Sequence, residues 1–141
     1  MRVNKNKYLV VGANSFLGSV LIKRLKIESE VTGVYHIGTE RLTEEIKNIP
    51  ISEMNELNDE YDAVFIISAF IPDKNSIEDL ELLNDVNVGL PKMISNKFKN
   101  AKLVYASSVS VYPENSIVIS EKSDLKSNSE YGKSKEAGEK I

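Results

Sequence analysis

Residues 7–25, Lys7-Tyr8-Leu9-Val10-Val11-Gly12-Ala13-Asn14-Ser15-Phe16-Leu17-Gly18-Ser19-Val20-Leu21-Ile22-Lys23-Arg24-Leu25, change character twice in a short span. Tyr8 to Val11 is an unbroken apolar run that stops at glycine, the pattern of a short buried strand. Phe16, Leu17, Val20, Leu21 and Leu25 then recur at helical spacing, so a helix begins near Ser15. Strand, glycine-bearing turn, helix is the context in which a glycine motif becomes a dinucleotide-binding hypothesis. Gly12 permits the tight turn, and Gly18 lets the helix pack close to the strand. Free N–H groups at the helix start can receive a pyrophosphate. Candidate cofactor residues here are Gly12, Asn14, Ser15, Phe16, Leu17 and Gly18. No Lys-Ser/Thr pair follows Gly18, which excludes a Walker A loop. An ordinary strand-to-helix turn is the bland alternative.

The rest of the chain repeats this alternation. Residues 30–35 (EVTGVY) read as a second strand. An NAD-type site places an Asp or Glu at its end, on the adenosine ribose. That place holds Tyr35 and His36, with Arg41 close by. With no carboxylate there, the site would tolerate a 2′-phosphate, so His36 and Arg41 join the cofactor residues and the cofactor reads as NAD(P), leaning to NADP. Residues 39–47 read as a short polar helix and 49–51 as a brief extended piece. Asp62 to Ala69 is the strongest strand, apolar on both faces as in a covered parallel sheet. Ser68 and Ala69 at its carboxyl end are small enough to lie beside a cofactor. Residues 76–98 read as a long helix with a buried stripe of Ile77, Leu80, Leu83, Val86, Leu90, Met93 and Ile94. Pro91 should bend it, with Asn87 in the bend. Leu103 to Ser108 is a further strand, and residues 113–129 a polar loop with an extended patch at Ile117–Ile119. Ser127 and Glu130 resemble a capping box opening the last helix. Alternation of this kind argues for a right-handed βαβ parallel sheet.

Composition bounds the rest. The chain has 141 residues, a single domain's worth, with 41% apolar and 28% charged residues, which describes a soluble globular protein. Net charge is −3 and mixed along the chain, so no basic block marks a nucleic-acid surface. There is no cysteine and one histidine, His36, which removes disulfides, thiolate metal sites and a His-based metal site. No apolar run approaches the ~20 residues of a membrane span. Residues 1–7 lead straight into a strand and leave no room for a signal peptide, so a cytoplasmic location is the default.

Chemistry concentrates at Tyr131-Gly132-Lys133-Ser134-Lys135. On a helix Tyr131 and Lys135 are one turn apart and share a face. A nearby ammonium favours the phenolate and makes tyrosine a usable general acid or base. A serine hydroxyl from Ser107-Ser108 could hold the substrate oxygen.

Together these residues resemble the extended short-chain dehydrogenase/reductase superfamily, the NAD(P)-dependent sugar-nucleotide epimerases, dehydratases and reductases. The fingerprint G-x-x-G-x-x-G maps onto Gly12, Ser15 and Gly18, with serine replacing the middle glycine. V-I-H-L-A-A maps onto Val64–Ala69, and the Asn-Val helix signature onto Asn87-Val88. S-S-x-x-V-Y maps onto Ser107–Tyr112, and Y-G-K-S-K onto Tyr131–Lys135. The second strand, ending in V-Y-H, resembles that of reductases of the dTDP-4-dehydrorhamnose reductase type, while Ser107–Tyr112 resembles the segment of epimerases equally well, so both subfamilies stay open. The resemblance implies an α/β Rossmann-type doubly wound parallel sheet of about five strands, one NAD(P)-binding domain over residues 1–141. It implies Ser108 on the reacting sugar oxygen, Tyr131 as proton donor or acceptor, and Lys135 tuning Tyr131 and binding the nicotinamide ribose. Tyr131 and Lys135 thus touch both substrate chemistry and cofactor. Family members are longer, so C-terminal truncation is expected, with the sugar-nucleotide domain in a full-length parent. A nucleotide-linked sugar would be that parent's substrate and a homodimer a possible assembly, with neither nucleic acid nor membrane as partner. A non-catalytic NADP-binding sensor and a fragment that binds nothing well are the rival readings.

Overall fold

The computed structural model describes residues 5–74, 76–114 and 118–141. Two compact units are described separately: residues 1–68 with 95–106, and residues 69–94 with 107–141.

The first unit holds the whole sheet. Its strands are β1 (Lys7–Val11), β2 (Glu30–Tyr35), β3 (Lys47–Pro50), β4 (Ala63–Ile66) and β5 (Lys102–Tyr105). All pair in parallel in the order β3-β2-β1-β4-β5, a Rossmann-like α/β arrangement. Val11 lies level with Val34 on one side and with Ile66 on the other. The order reverses at β1, and open α/β sheets bind ligands outside the carboxyl ends at such a reversal. Leu9, Val10, Val11, Val34 and Val64 are fully buried, which explains why β1 and β4 read as unbroken apolar runs. Pro50 ends β3 at the sheet edge, where no further strand needs its missing N–H.

Helix α1 (Phe16–Leu25) starts where the sequence predicts, with Ser15 as N-cap. Of the residues whose spacing revealed it, only Leu21 and Leu25 pack toward the core. Phe16 is 76% exposed, and Leu17 and Val20 are also exposed. Gly18, Ser19 and Ile22 face inward instead, with Ile22 in a cluster with Val10, Ala13 and Val31 flanked by Leu21 and Leu25. The missing side chain of Gly18 fixes which face meets the sheet. Phe16 and Val20 lie about 200° round the helix from it.

The expected helix over 39–47 is absent. Asn48 donates to the carbonyls of Thr43 and Ile46, and Asn14 engages Ile37, Glu40 and Arg41. These side chains take the backbone groups that a helix would need. Leu42 and Ile46 pack on the core from turns. Residues 51–56, beyond β3, form a 3₁₀ turn that buries Met54.

The second unit contains α2 (Ile77–Asn84) and, after a π-turn over Asp85–Gly89, the start of α3 (Leu90–Lys97). Where a bend was expected, the hydrogen-bond register changes over a π-turn that contains Asn87. Leu90 N–H donates to Asp85 O, five residues back, just before the proline that lacks a donor and would press on a four-back carbonyl. Leu83, Leu90 and Ile94 are buried as predicted, but Ile77 and Met93 are exposed. Helix α4 (Glu130–Glu139) is capped by Ser129, whose hydroxyl accepts from Gly132 N, not by the Ser127–Glu130 box. Ser127 accepts instead from Ser129 N. Of the predicted extended patch, Ile117 lies outside the described residues, and Val118 and Ile119 are exposed loop.

Candidate functional site

The glycine turn sits at the carboxyl end of β1. Gly12 has φ +101°, a region that side chains disfavour, and its amide and that of Ala13 both donate to Val34 O at 2.9 Å. A Cβ on Gly12 would lie 2.8 Å from Ser68 N and one on Gly18 only 2.1 Å from Gly12 O. The turn is thus bare backbone, closed by α1 on one side and by Ser68 on the other. Ser68 N donates to Val11 O, which puts the predicted Ser68 beside the turn. Ala69 belongs to the second unit and is exposed.

Ser15 stands where the fingerprint has a glycine, at φ −71° and ψ 160°, an extended conformation open to any residue. Its hydroxyl donates to Gly12 O at 2.7 Å and accepts from Gly18 N at 3.0 Å. Because its proton is committed to the turn, Ser15 holds the cradle's shape. The first-turn amides of Phe16 and Leu17 have no intrahelical acceptor. A bare turn with outward amides fits a diphosphate.

Beyond β2 the chain turns at Gly38, with φ +72°, and comes back to this turn. Asn14 is the hub. Its amide donates to Ile37 O and to Glu40 Oε2, both at 3.1 Å, and its carbonyl oxygen accepts from Arg41 N at 2.8 Å. Hydrogen bonding from its own backbone N–H, then from Asn14, holds the exposed Glu40 carboxyl below its usual range, with a smaller contribution from Arg41. The lean to NADP rested on the absence of an acid here, and the fold supplies one. Glu40 was missed because it lies five residues past the strand end; Gly38, able to reverse the chain, was the available signal. His36 and Arg41 are both exposed.

The second unit carries the predicted catalytic trio. Tyr131 and Lys135 lie one turn apart on α4, and Ser108 caps the 3₁₀ turn Val109–Val111. Gly132 joins the two elements: a Cβ there would sit 2.0 Å from Ser110 O and 1.9 Å from Ser127 Oγ. No local pattern marks Gly132, yet only glycine lets α4 press on the serine turn. Ser108 Oγ accepts from Ser110 N at 3.2 Å, which leaves its own hydrogen to donate elsewhere. Lys135 is 1% exposed, and burial lowers its ammonium to about 8 against an opposing pull from Glu139. Ser107, the other candidate hydroxyl, donates to Glu139 Oε1.

Asn87 is fully buried within the π-turn. Its carbonyl oxygen accepts from Phe70 N at 2.8 Å, and its amide donates to Phe70 O and to Ser134 Oγ, both at 2.9 Å. Ser134 in turn donates to Tyr131 O at 2.7 Å. The amide thus braces the Phe70 loop and the Tyr131 turn together.

A cavity of about 310 Å³ lies elsewhere, lined by Lys7, Glu30 and Lys47 at the amino ends of β1, β2 and β3. Among the described residues no His/Asp/Glu group could hold a metal ion, and no helix is long and apolar enough to cross a membrane.

The model of the NAD dependent epimerase/dehydratase family matches residues 8–141. Among curated proteins nothing matches. The UDP-glucuronic acid 4-epimerase of Bacillus cereus, solved with UDP-glucuronic acid and NAD, is 26% identical at a TM-score of 0.83, over 95% of this chain and 50% of its own. MoeE5 with UDP-glucuronic acid and NAD is 26% identical at 0.79, over 96% and 48%. A short-chain dehydrogenase/reductase superfamily protein from Agrobacterium tumefaciens with bound NAD, 23% identical at 0.78 over 96% and 43%, shares the fold. The chain spans about half the length of these relatives.

Proposed function

Because the chain belongs to the NAD-dependent epimerase/dehydratase family, we propose that it is the cofactor-binding part of an enzyme acting on a nucleotide-linked sugar. The reaction class is hydride transfer used to epimerise, dehydrate or reduce that sugar. The observation that carries the reading is Tyr131 and the buried Lys135 on one face of α4, with Gly132 pressing that helix onto the Ser108 turn. Relatives solved with UDP-glucuronic acid and NAD support the substrate class.

The glycine turn and the amides of Phe16 and Leu17 would hold the cofactor's diphosphate. A bound nicotinamide supplies the hydride acceptor or donor. Ser108 would donate its uncommitted hydrogen to the reacting sugar oxygen, and Tyr131 would take or return that oxygen's proton. Lys135, at about 8, remains mainly an ammonium at pH 7. Lys135, one helical turn further along α4, would bind the nicotinamide ribose.

The test is Tyr131→Phe in the full-length protein. Turnover should fall by about 100-fold or more, with NADH affinity changed less than twofold. Turnover that survives intact would sink the assignment.

A further inference from the structure

The ribose-binding carboxylate has no residue in its expected place, since β2 ends in Tyr35 and is followed by His36. We propose that Glu40 fills that role from the following loop and makes the chain select NAD over NADP. The inference rests on the dinucleotide reading above and goes beyond it by naming the residue that discriminates.

Three observations within the first unit carry it. First, the carboxyl end of β2 is pinned to the glycine turn, because Val34 O accepts from both Gly12 N and Ala13 N. Anything returning to the end of β2 therefore returns to the cradle. Second, the loop does return. Gly38 reverses it at φ +72°, and a Cβ there would meet Glu40 Oε2 at 2.5 Å and Asn14 Nδ2 at 2.8 Å, so the loop closes tightly over its own acid. Third, the acid is oriented by the turn itself. Asn14, two residues after Gly12, donates to Glu40 Oε2 and holds Arg41 by its backbone N–H.

A carboxylate so held accepts hydrogen bonds and donates none, which suits the two hydroxyls of an adenosine ribose. A 2′-phosphate would bring a second negative charge against it and replace a donor by acceptors. Arg41 is the one cation beside it in sequence, and its backbone, not its guanidinium, is what Asn14 fixes. The loop therefore presents an anchored acid and an unanchored base, and the anchored group sets the preference.

The experiment titrates NADH and NADPH against the wild-type chain, Glu40→Gln and Arg41→Ala, by fluorescence or calorimetry. NADH should bind wild type at least tenfold tighter than NADPH. Glu40→Gln, isosteric and at an exposed site, should cut that ratio to threefold or less, while Arg41→Ala should leave it within twofold. Equal or tighter NADPH binding to wild type would overturn the inference while leaving the dinucleotide reading intact. So would a ratio unmoved by Glu40→Gln, or a loss of NADPH alone in Arg41→Ala. Failure of both dinucleotides to bind would overturn the dinucleotide reading and this inference with it.

Discussion

Gly18→Ala sets two effects of opposite sign against each other. Alanine is the better helix former, by about 1 kcal/mol in a helix interior. On propensity alone the variant would be the more stable. The structure opposes this, because the new Cβ would stand 2.1 Å from Gly12 O and 3.0 Å from Gly12 C. Ordinary contact begins at 3.4 Å, so α1 and the turn must part by about 1.3 Å. The obstacle is backbone, itself fixed by the bond from Gly12 N to Val34 O. No flexible side chain can yield. Overpacking of this sort costs about 1–3 kcal/mol, occasionally more, and withdrawal of α1 also loosens Ile22 from its cluster. The net expectation is a loss of about 2 kcal/mol, the clash outweighing the propensity gain. Urea unfolding of the chain should show the midpoint falling, and NADH titration should show affinity falling with it, because the amides of Phe16 and Leu17 move away. A variant as stable as wild type, or more so, would refute the close approach on which the cradle depends.

Lys135 makes stability depend on pH. Its pKa in the fold, about 8, lies below the ordinary lysine value of 10.5, so the unfolded chain binds more protons between these limits. Stability contributed by this group must therefore rise with pH from about 8 to about 10.5. Urea unfolding of wild type and Lys135→Met at pH 7 and pH 10 should show the variant's advantage at pH 7 shrinking at pH 10, and an advantage that did not change would contradict the burial cost. Asn87→Ala strips the Phe70 amide and carbonyl of their side-chain partner. Two orphaned groups at about 1–3 kcal/mol each should lower unfolding free energy by about 2–6 kcal/mol, and a loss under about 0.5 kcal/mol would show that Asn87 braces nothing.

Local rules account for what could be read directly. A run of apolar residues ending at glycine can be satisfied by few arrangements, so β1, the turn and the start of α1 were legible from Tyr8 to Ser15. Tyr131 and Lys135 were legible as a pair because an i, i+4 relation depends only on helix formation. The same periodicity found the helix but not the face turned inward, since Phe16 and Val20 are exposed. That choice belongs to Gly18, whose lack of a side chain matters only once Gly12 O stands opposite.

The loop after β2 shows the limit most clearly. Composition and spacing suffice for a parallel α/β chain with a nucleotide-type turn, because strand, turn and helix preferences act over a few neighbours. Whether an acid guards that turn depends on residues 14 and 40 meeting, across 26 positions of chain. Only the pairing of β1 with β2, the reversal at Gly38 and the reach of the Asn14 amide bring them together. The tertiary structure thus decided the charge beside the cradle, just as it decided that Gly132 would seat α4 on the serine turn. In both cases the physical cause is a contact between segments distant in sequence, which no local pattern encodes.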